Sequence, residues 1–303
     1  MTQFTKTGHL LLAVSIASMI GVADASDHGG SVYPIGAETV LPGMMPGPWG
    51  TILVEFNDFY QANSLAGPTG LNQVPGFHLR VGAVALKVIH NWGVHVLGGE
   101  LISSLGVPAL YEHLNAPFGR AQKSGLGNPD LSVADVAYAK GSWHWWYGLE
   151  AYAPGAQYNK NDLLNVGQHN FATAVDGAFT YFPHFGRSEL SSKLQYIVNF
   201  TNPATQYRSG GEFVWEYAAM QRIAKNLAVG VNGDYYQQLT DDRQNGLLVS
   251  DARARSVMIG PEFRYHLGRA TLILKYQKET LAENKTSGNA FWLQVGLPLG
   301  HRE

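Results

Sequence analysis

Ionisable and aromatic residues recur at every second position in several stretches of the chain, opposite a face of apolar residues. In the stretch Trp143–Ala153, which reads WHWWYGLEAYA, Tyr147 and Leu149 fall on one face, and Glu150 and Tyr152 fall on the other. Side chains of a strand alternate with a period of two, so this pattern predicts a strand with one apolar and one mixed polar face. Charges enclosed on such a face need partners, so the chemistry that they predict is ion pairing or the lining of a polar path.

The same alternation places further side chains on the enclosed face of other predicted strands. Each of them either belongs to a network that holds the wall rigid or contacts a solute, and the sequence leaves both interpretations open. The residues predicted to line this interior are Glu55, Arg80, Glu100, Asp135, Trp146, Glu150, Tyr152, Asp176, Lys193, Glu212, Glu216, Asp234, Glu262, Arg264, Lys275 and Glu279.

The common catalytic and metal-binding motifs are missing from the sequence. It contains no His-Glu-x-x-His, no Gly-x-Ser-x-Gly and no cysteine, which argues against zinc proteases, serine hydrolases and thiolate sites. The loop Asp241–Gly246 has Arg243 at a position where a calcium loop needs a ligand. An outer-membrane lipase would need a serine and a histidine side by side on a strand, and no His-x-Ser pair occurs on the predicted strands. We therefore expect no catalytic residues, no metal and no cofactor, and an outer-membrane lipid-modifying enzyme is a minor alternative.

The elements that must position these residues are twelve segments of about ten residues or more, the length of a tilted membrane strand. Their predicted bounds are Thr51–Gln61, Gly76–Val88, Val94–Gly106, Asp130–Lys140, Trp143–Ala153, Asn170–Tyr181, Glu189–Phe200, Gly211–Arg222, Asn226–Leu239, Ala254–His266, Arg269–Leu281 and Asn289–Leu297.

The faces of the first two segments are assigned from their charges. In the first segment, Glu55 and Asn57 are predicted to point inward, and the apolar residues Ile52, Val54 and Phe56 are predicted to point outward. In the second segment His78 and Arg80 are predicted inward, and the outward residues are Phe77, Leu79, Val81, Ala83 and Ala85. With this assignment, no charge in the middle of a strand has to face lipid.

Pro261 is a proline inside a predicted strand, facing outward between Ile259 and Phe263. Proline cannot donate a hydrogen bond to the ladder, so it belongs at an edge, a bulge or a gap. The two hypotheses are a local bulge and an opening in the wall through which an apolar solute leaves sideways.

The connections between the segments alternate between short turns and long loops. The short ones are Asn91–Gly93, Gly141–Ser142, Phe182–Ser188, Ile223–Lys225 and Leu267–Gly268, and the long ones are Ala62–Pro75, Val107–Pro129, Pro154–His169, Thr201–Gly210, Thr240–Arg253 and Ala282–Gly288. This alternation is typical of outer-membrane barrels. Charged residues make up only 15% of the chain, against about a quarter in soluble domains. The sequence therefore predicts an all-β, 12-stranded antiparallel transmembrane β-barrel, and a soluble sandwich is the minor alternative.

The first 50 residues differ from the rest. Residues 1–25 combine Lys6 with an apolar run and the small-x-small site Ala23-Asp24-Ala25, which predicts a signal peptide. Residues 26–50 are rich in glycine and proline without strand or helix period. They form either a loose tail or a segment inside the barrel with Tyr33, Leu41, Met44 and Met45 as apolar contacts. The predicted barrel covers residues 51–303.

Several short motifs resemble, in order and spacing, a family of Gram-negative outer-membrane channels named after the meta-cleavage pathway of phenol degradation. The motifs are Tyr33-Pro34-x-Gly36, Pro46-Gly47, Gly125-Leu126-Gly127, Pro154-Gly155, Asn165-Val166-Gly167, Thr205-x-Tyr207-x-Ser209-Gly210-x-Glu212 and the stretch Tyr235–Asp242. The resemblance covers most of the chain after the leader. It implies a twelve-stranded barrel with its N-terminal segment in the lumen, proposed to take up small hydrophobic or aromatic compounds.

Taken together, these features predict a passive, monomeric channel in the outer membrane for small hydrophobic or aromatic solutes. Its other expected partners are membrane lipid and lipopolysaccharide. Nucleic acid is not expected, because the net charge is -2 and no basic stripe is present. The alternative from a different class is a structural or adhesive barrel whose lumen is plugged.

Overall fold

Strands with alternating faces can satisfy all their backbone hydrogen bonds in lipid only by closing into a barrel. The computed structural model describes residues 30–155 and 157–300. The predicted signal peptide, residues 1–25, lies outside the described residues. Within the described ranges, no helix is long and apolar enough to cross a bilayer.

The described chain contains sixteen strands and one short helix. In chain order they are β1 (Thr51–Ala66), β2 (His78–Val96), β3 (Gly99–Ala116), β4 (Gly119–Leu126), β5 (Asp130–Lys140), β6 (Trp143–Tyr152), β7 (Ala172–Tyr181), α1 (Pro183–Gly186), β8 (Ser188–Asn199), β9 (Tyr207–Arg208), β10 (Glu212–Arg222), β11 (Leu227–Gln238), β12 (Asp242–Gln244), β13 (Leu247–Val249), β14 (Arg255–Leu267), β15 (Ala270–Glu283) and β16 (Lys285–Leu299).

Twelve of these strands form a closed antiparallel barrel, which confirms the predicted fold. Each pairs with its neighbours in sequence order, and β1 closes the ring by pairing with β16 from Thr51↔Leu299 to Ala66↔Lys285. The four remaining strands lie in the loops. β4 pairs with the upper half of β3, and β9, β12 and β13 form a separate three-stranded sheet.

The barrel has a short-turn end and a long-loop end. The turns at Leu97–Gly98, Gly141–Ser142 and Gly268–Arg269 are on the same side as the start of β1 and the end of β16. In outer-membrane barrels short turns are periplasmic and long loops extracellular. The outer surface between the two ends is apolar, with exposed side chains such as Leu149, Val175 and Leu194.

The faces of β1 and β2 are the reverse of the prediction. Leu79 and Val81 line the interior, whereas Arg80 is exposed on the outer face. Glu55 lies opposite Leu86, which is 48% exposed, so it also faces outward. Its carboxylate accepts a hydrogen bond from the Asn57 amide at 3.0 Å. The inner surface is mostly apolar on this side of the barrel, so the charge of Arg80 or Glu55 does not identify the inward face here.

Three predicted connections were also wrong: the short turn Asn91–Gly93 and the long loops Val107–Pro129 and Ala282–Gly288. β2 runs through Asn91–Gly93, with an irregular register between Asn91 and His95, and it turns only at Leu97–Gly98. The predicted loop Val107–Pro129 is largely the extracellular hairpin of β3 and β4. The predicted loop Ala282–Gly288 is a turn at Asn284, whose φ is +50°. Strands of this barrel extend beyond the membrane, and a period-two pattern does not show where the bilayer ends.

Pro261 faces outward, as predicted, but the wall is closed beside it. The β14–β15 ladder lacks pairs between Ile259 and Glu262, and its register shift lies earlier, between Val257 and Met258. A Cβ on Gly260 would come within 1.8 Å of the Tyr276 carbonyl oxygen, so the two backbones are in close contact. The structure therefore shows an interrupted ladder at Pro261 and not a lateral opening.

Candidate functional site

The N-terminal segment, defined as residues 30–50, lies inside the barrel and runs from the loop end towards the turn end. Tyr33 packs in the upper lumen with Tyr152 and Tyr236. Leu41 packs lower down, against a cluster formed by inner residues of β10 and β15. Met44 lines a cavity near the turn end, and Met45 packs against Trp146 and its neighbours. The structure thus places all four predicted contacts of the segment in the lumen.

The upper part of the segment is fastened by buried wall residues that bind its backbone. Glu216 accepts hydrogen bonds from the N–H groups of Gly36 (2.5 Å) and Glu38 (3.0 Å) and from the Tyr33 hydroxyl (2.9 Å). Lys275 donates to the carbonyl oxygens of Gly36 (2.5 Å) and Ala37 (3.0 Å). Gln294 also donates to the Ala37 carbonyl. Hydrogen bonds to charged groups each contribute about 1.5–3 kcal/mol, so this anchoring is strong.

Gly36 is required at this anchor. Its φ is +91°, and a Cβ there would lie 2.6 Å from Gln277 Oε1 and 3.1 Å from Asp234 Oδ2. A side chain would therefore be strained and would collide with the wall. This explains the glycine of the Tyr33-Pro34-x-Gly36 motif in physical terms.

The lower part of the segment is bound by residues of several other strands. Glu189 accepts from the Leu41 N–H (3.4 Å), and the Thr180 hydroxyl accepts from the Gly43 N–H (3.1 Å). The Trp146 indole donates to the Pro42 carbonyl oxygen (2.6 Å). At the turn end, the Asn91 amide donates to the Pro46 carbonyl oxygen (2.8 Å).

An ion cluster crosses the middle of the lumen. Lys193 Nζ lies 2.6 Å from Glu38 Oε2 and 3.5 Å from Asp176 Oδ2. Lys87 Nζ lies 2.9 Å from Glu38 Oε1, 3.2 Å from Glu150 Oε1 and 3.3 Å from Asp130 Oδ1. We call these six residues the central ion cluster. It joins β2, β5, β6, β7 and β8 to the N-terminal segment.

Glu38 belongs to the segment and not to a membrane-spanning strand. Burial alone would raise the pKa of its carboxyl group, but the ammonium groups of Lys193 and Lys87 lower that pKa to about 2. Glu38 is therefore charged at neutral pH and acts as a permanent ionic link between the segment and the barrel.

Most other predicted interior residues are buried on the polar side of the lumen. Tyr152 donates to Glu150 (2.5 Å) and accepts from the Gln195 amide (2.8 Å). Arg264 forms an ion pair with Glu189. The remaining contacts are Asn199 to Glu212 (2.6 Å), Gln277 to Asp234 (3.3 Å), and Tyr60 to Glu279 (2.8 Å).

Three other predicted residues, Asp135, Glu262 and Glu100, make contacts that differ from this pattern. Among the described residues, Asp135 Oδ1 and both carboxylate oxygens of Glu262 accept no hydrogen bond. Glu100 lies at the turn end, 3.0 Å from the exposed His95 ring. Glu100 is therefore a rim residue and is not part of the central ion cluster.

The inner surface of the barrel is divided into two walls. The inward residues of β6–β8, β10, β11, β14 and β15 carry most of the buried charges, and we call this surface the charged wall. The inward residues of β1–β3 form the apolar wall, which consists mainly of Ile52, Val54, Phe56, Tyr60, Leu79, Val81, Ala83, Ala85, Ile89, Pro108, Leu110 and Leu114.

The apolar wall borders two cavities. The outer cavity has a volume of 630 Å³ and extends from the loop residues Pro68 and Phe118 down to Lys87. Its volume is in the range of about 300–1,000 Å³ that is common for small-molecule sites. The inner cavity, of 190 Å³, is lined by Ile52 and Met44 near the turn end. An apolar molecule would contact carbon atoms along most of both cavities.

Several interior residues were missed from the sequence. Glu38 lies in a segment without strand period, and Lys87 is on a strand whose faces were reversed. Asp58, which lines the outer cavity, was missed because the predicted faces of β1 were also reversed. Glu189 was placed at the end of its predicted strand and overlooked. Lys87 could have been identified from its position in the alternating row Leu79, Val81, Ala83, Ala85, Lys87, Ile89. A charge in the middle of this row indicates that the row faces the lumen and not the lipid. In the part of the chain that the structure describes, no three His, Asp or Glu side chains are grouped as metal ligands would be.

Comparison with known proteins agrees with this architecture. The COG4313 outer membrane channel from Pseudomonas putida F1 has a TM-score of 0.74 at 14% sequence identity, with 84% of this chain and 96% of that chain covered. The CymD monoaromatic hydrocarbon channel has a TM-score of 0.45 at 10% identity, with 94% of this chain and 99% of that chain covered. At these identities the likeness concerns the fold alone, and the second one is too distant to support an argument.

Sequence comparison is more specific. No curated protein sequence matches the chain. The family described as "Putative MetA-pathway of phenol degradation" matches residues 62–295, which is more than half of the sequence. The protein is an outer-membrane β-barrel, and the chain belongs to this family.

Proposed function

We propose that this protein is a passive outer-membrane channel for the uptake of small hydrophobic or aromatic compounds. The observation that carries the proposal is the apolar wall, which runs past both the outer and the inner cavity. Burial of apolar surface is favourable by roughly 25 cal/mol per Å². An apolar solute would therefore partition into these cavities, whereas a sugar would lose hydrogen bonds to water.

The charged wall has a different role in this proposal. Its side chains bind the N-terminal segment and one another. They hold the segment against one side of the lumen, so the solute would travel along the opposite side. In this proposal, transport follows the concentration gradient of the solute.

We further infer that the barrel works as a monomer in contact with lipid and lipopolysaccharide. The support is its outer surface, where apolar residues such as Val175 and Leu194 are exposed between the two ends. Each barrel encloses its own lumen, so a second copy is not needed to complete a path.

The experiment that tests the proposal measures initial uptake of labelled toluene and of labelled arabinose in cells with and without the protein. We expect the protein to accelerate toluene uptake alone. Equal acceleration of both solutes would indicate a small general pore. Acceleration of neither would contradict channel function and favour a plugged structural barrel.

A further inference from the structure

The outer and inner cavities are separated by a thin partition. Five residues border both cavities, namely Ala37, Glu38, Phe56, Lys87 and Glu150. Ala37 and Glu38 belong to the N-terminal segment, and the other three belong to the wall. Any solute that moves between the cavities must therefore pass these residues.

The segment side of the partition is fixed in place. The backbone of Gly36, Ala37 and Glu38 is bound by Glu216 and Lys275, which lie on the charged wall. Further down, Glu189, Thr180 and Trp146 bind the segment from the same side. Removing the segment as a whole would break all of these hydrogen bonds together.

The opposite side of the segment is held much less firmly. Of the hydrogen bonds described between β1–β3 and residues 30–50, the side-chain bonds come from Lys87 to Glu38 and, at the turn end, from Asn91 to Pro46. The seam between the segment and the apolar wall is thus crossed at the partition by a single ammonium–carboxylate contact.

Lys87 is suited to movement. Its ammonium group reaches from the apolar wall to Glu38 (2.9 Å) and Glu150 (3.2 Å), while its four-carbon stem lies between Ala85 and Ile89 on the inner face of β2. A lysine side chain is a point charge on a flexible stem. It can change rotamer without any shift of the backbone.

A second acceptor lies beside Lys87 on the outer-cavity side. Asp130 Oδ1 is 3.3 Å from Lys87 Nζ. Among the described residues, this oxygen atom accepts no hydrogen bond. Asp130 lines the outer cavity, and it is not part of the inner cavity. The ammonium group can therefore leave Glu38, which belongs to the segment, and remain paired with Asp130 and Glu150 on the wall.

We propose that Lys87 is the gate between the two cavities. When its ammonium group leaves Glu38 and stays with Asp130 and Glu150, the seam opens and an uncharged apolar solute passes along the apolar wall while the segment stays bound. This inference rests on the proposed channel function and specifies how the same lumen is regulated. The gate disfavours anionic solutes, because the carboxylates of Glu38 and Glu150 remain beside the seam.

The test replaces Lys87 by methionine, which has a similar apolar stem and no charge. Toluene uptake is measured in cells, and ion conductance is measured in parallel with the purified protein in planar bilayers. The matched control is Lys278→Met, on the outer face of β15. We expect Lys87→Met to raise toluene uptake about tenfold over the wild type, comparable to the loss of one charge-assisted contact. Ion conductance should stay at the wild-type level because the segment remains in place.

A second variant tests the charge itself. The chain has no cysteine, so Lys87→Cys introduces a unique thiol. Treatment with aminoethyl methanethiosulfonate then attaches an ammonium group through a disulfide, releasing a sulfinate. We expect uptake to be raised before treatment and to return towards the wild-type rate afterwards. Heat-modified migration of each barrel on gels checks that it is folded.

The outcomes separate the gate from the channel. If wild-type cells take up toluene no faster than cells without the protein, the proposed function itself fails. If the wild type is active and neither Lys87 variant is faster, the gate is wrong and the channel function stands. If conductance rises together with toluene uptake, the segment leaves the lumen, which also overturns a side-chain gate.

Discussion

The two walls of the lumen are built from the same kind of strand but use it in opposite ways. On the charged wall, Glu216 and Lys275 are almost fully buried and bind the backbone of the segment. On the apolar wall, Val81 and Ala85 border a cavity. Buried charges need fixed partners, whereas apolar side chains need none. One wall is therefore suited to holding a segment, and the other is suited to letting a solute slide past.

The largest effect is expected from weakening the charged wall at Lys275. Lys275→Met removes hydrogen bonds to Gly36, Ala37 and Thr39 and leaves nearby carboxylates without their cation. Removal of one partner of a buried charged network costs about 3–5 kcal/mol. We expect a fall of this size in the free energy of unfolding in urea, and faster protease cleavage within residues 30–50.

Lys278→Met is the control for that substitution, because Lys278 is exposed on the outer face of the same strand. Its effect should stay within about 0.5 kcal/mol, as for most surface positions. Equal losses for the two variants would contradict the anchoring role of the charged wall.

The next effect concerns the link between the two walls and depends on pH. The pKa of Glu38 falls from its ordinary value of 4.5 to about 2 because, against the effect of burial, Lys193 and Lys87 stabilise its charge. A lowered pKa in the folded state gives stabilisation that is complete above the ordinary pKa and is lost as the pH falls through 4.5 towards 2. Hydrogen-exchange protection of residues 30–50 should therefore be constant from neutral pH to about pH 5 and should decrease below that.

Glu38→Gln supplies the comparison for the pH series. The variant cannot titrate at this position, so its protection should be lower at neutral pH and should change less between pH 5 and pH 3. An equal loss of protection in both proteins would show that other carboxyl groups control the segment.

A charge on the apolar wall should reduce uptake. Val81→Asp places a carboxylate in the outer cavity, where it would retain water and make the cavity less favourable for an apolar solute. We expect initial toluene uptake to fall about tenfold, which corresponds to about 1.4 kcal/mol. Val81→Leu keeps the surface apolar and should stay within about twofold. If both variants behave alike, the polarity of this wall does not matter for transport.

The smallest loss of stability is expected for Trp146, where the charged wall binds the segment through an uncharged indole group. Trp146→Phe removes the hydrogen bond from the indole to the Pro42 carbonyl oxygen, at a cost of about 1 kcal/mol. Urea unfolding should detect this loss. Trp145→Phe, on the opposite face of the same strand, keeps the segment contact and should cost less. A larger loss for Trp145→Phe would assign the stability to the outer surface.

The charged side of the barrel could be predicted well from the sequence. β6 was predicted as Trp143–Ala153 and is observed as Trp143–Tyr152, and β8 was predicted as Glu189–Phe200 and is observed as Ser188–Asn199. On these strands the buried charges alternate with apolar outer residues, so polarity identifies the face. Glu150 and Lys193 were accordingly assigned to the interior, where the structure places them.

The apolar side could not be predicted by the same rule. In β1, Glu55 was assumed to face inward because it is charged, and the inward residues are in fact Ile52, Val54 and Phe56. In β2, the same assumption turned Arg80 inward, whereas it is exposed on the outer face. Where both faces of a strand are largely apolar, local polarity does not show which face points into the lumen.

The sequence by itself determined the number of strands in the barrel, most of its short turns, and the location of most buried charges. These properties depend on local alternation and turn residues, which neighbouring positions specify. Only the tertiary structure decided which wall is apolar and where the partition lies. Glu38 meets Lys87 and Lys193 across 49 and 155 residues of chain, and such contacts exist only after the barrel has closed around the segment.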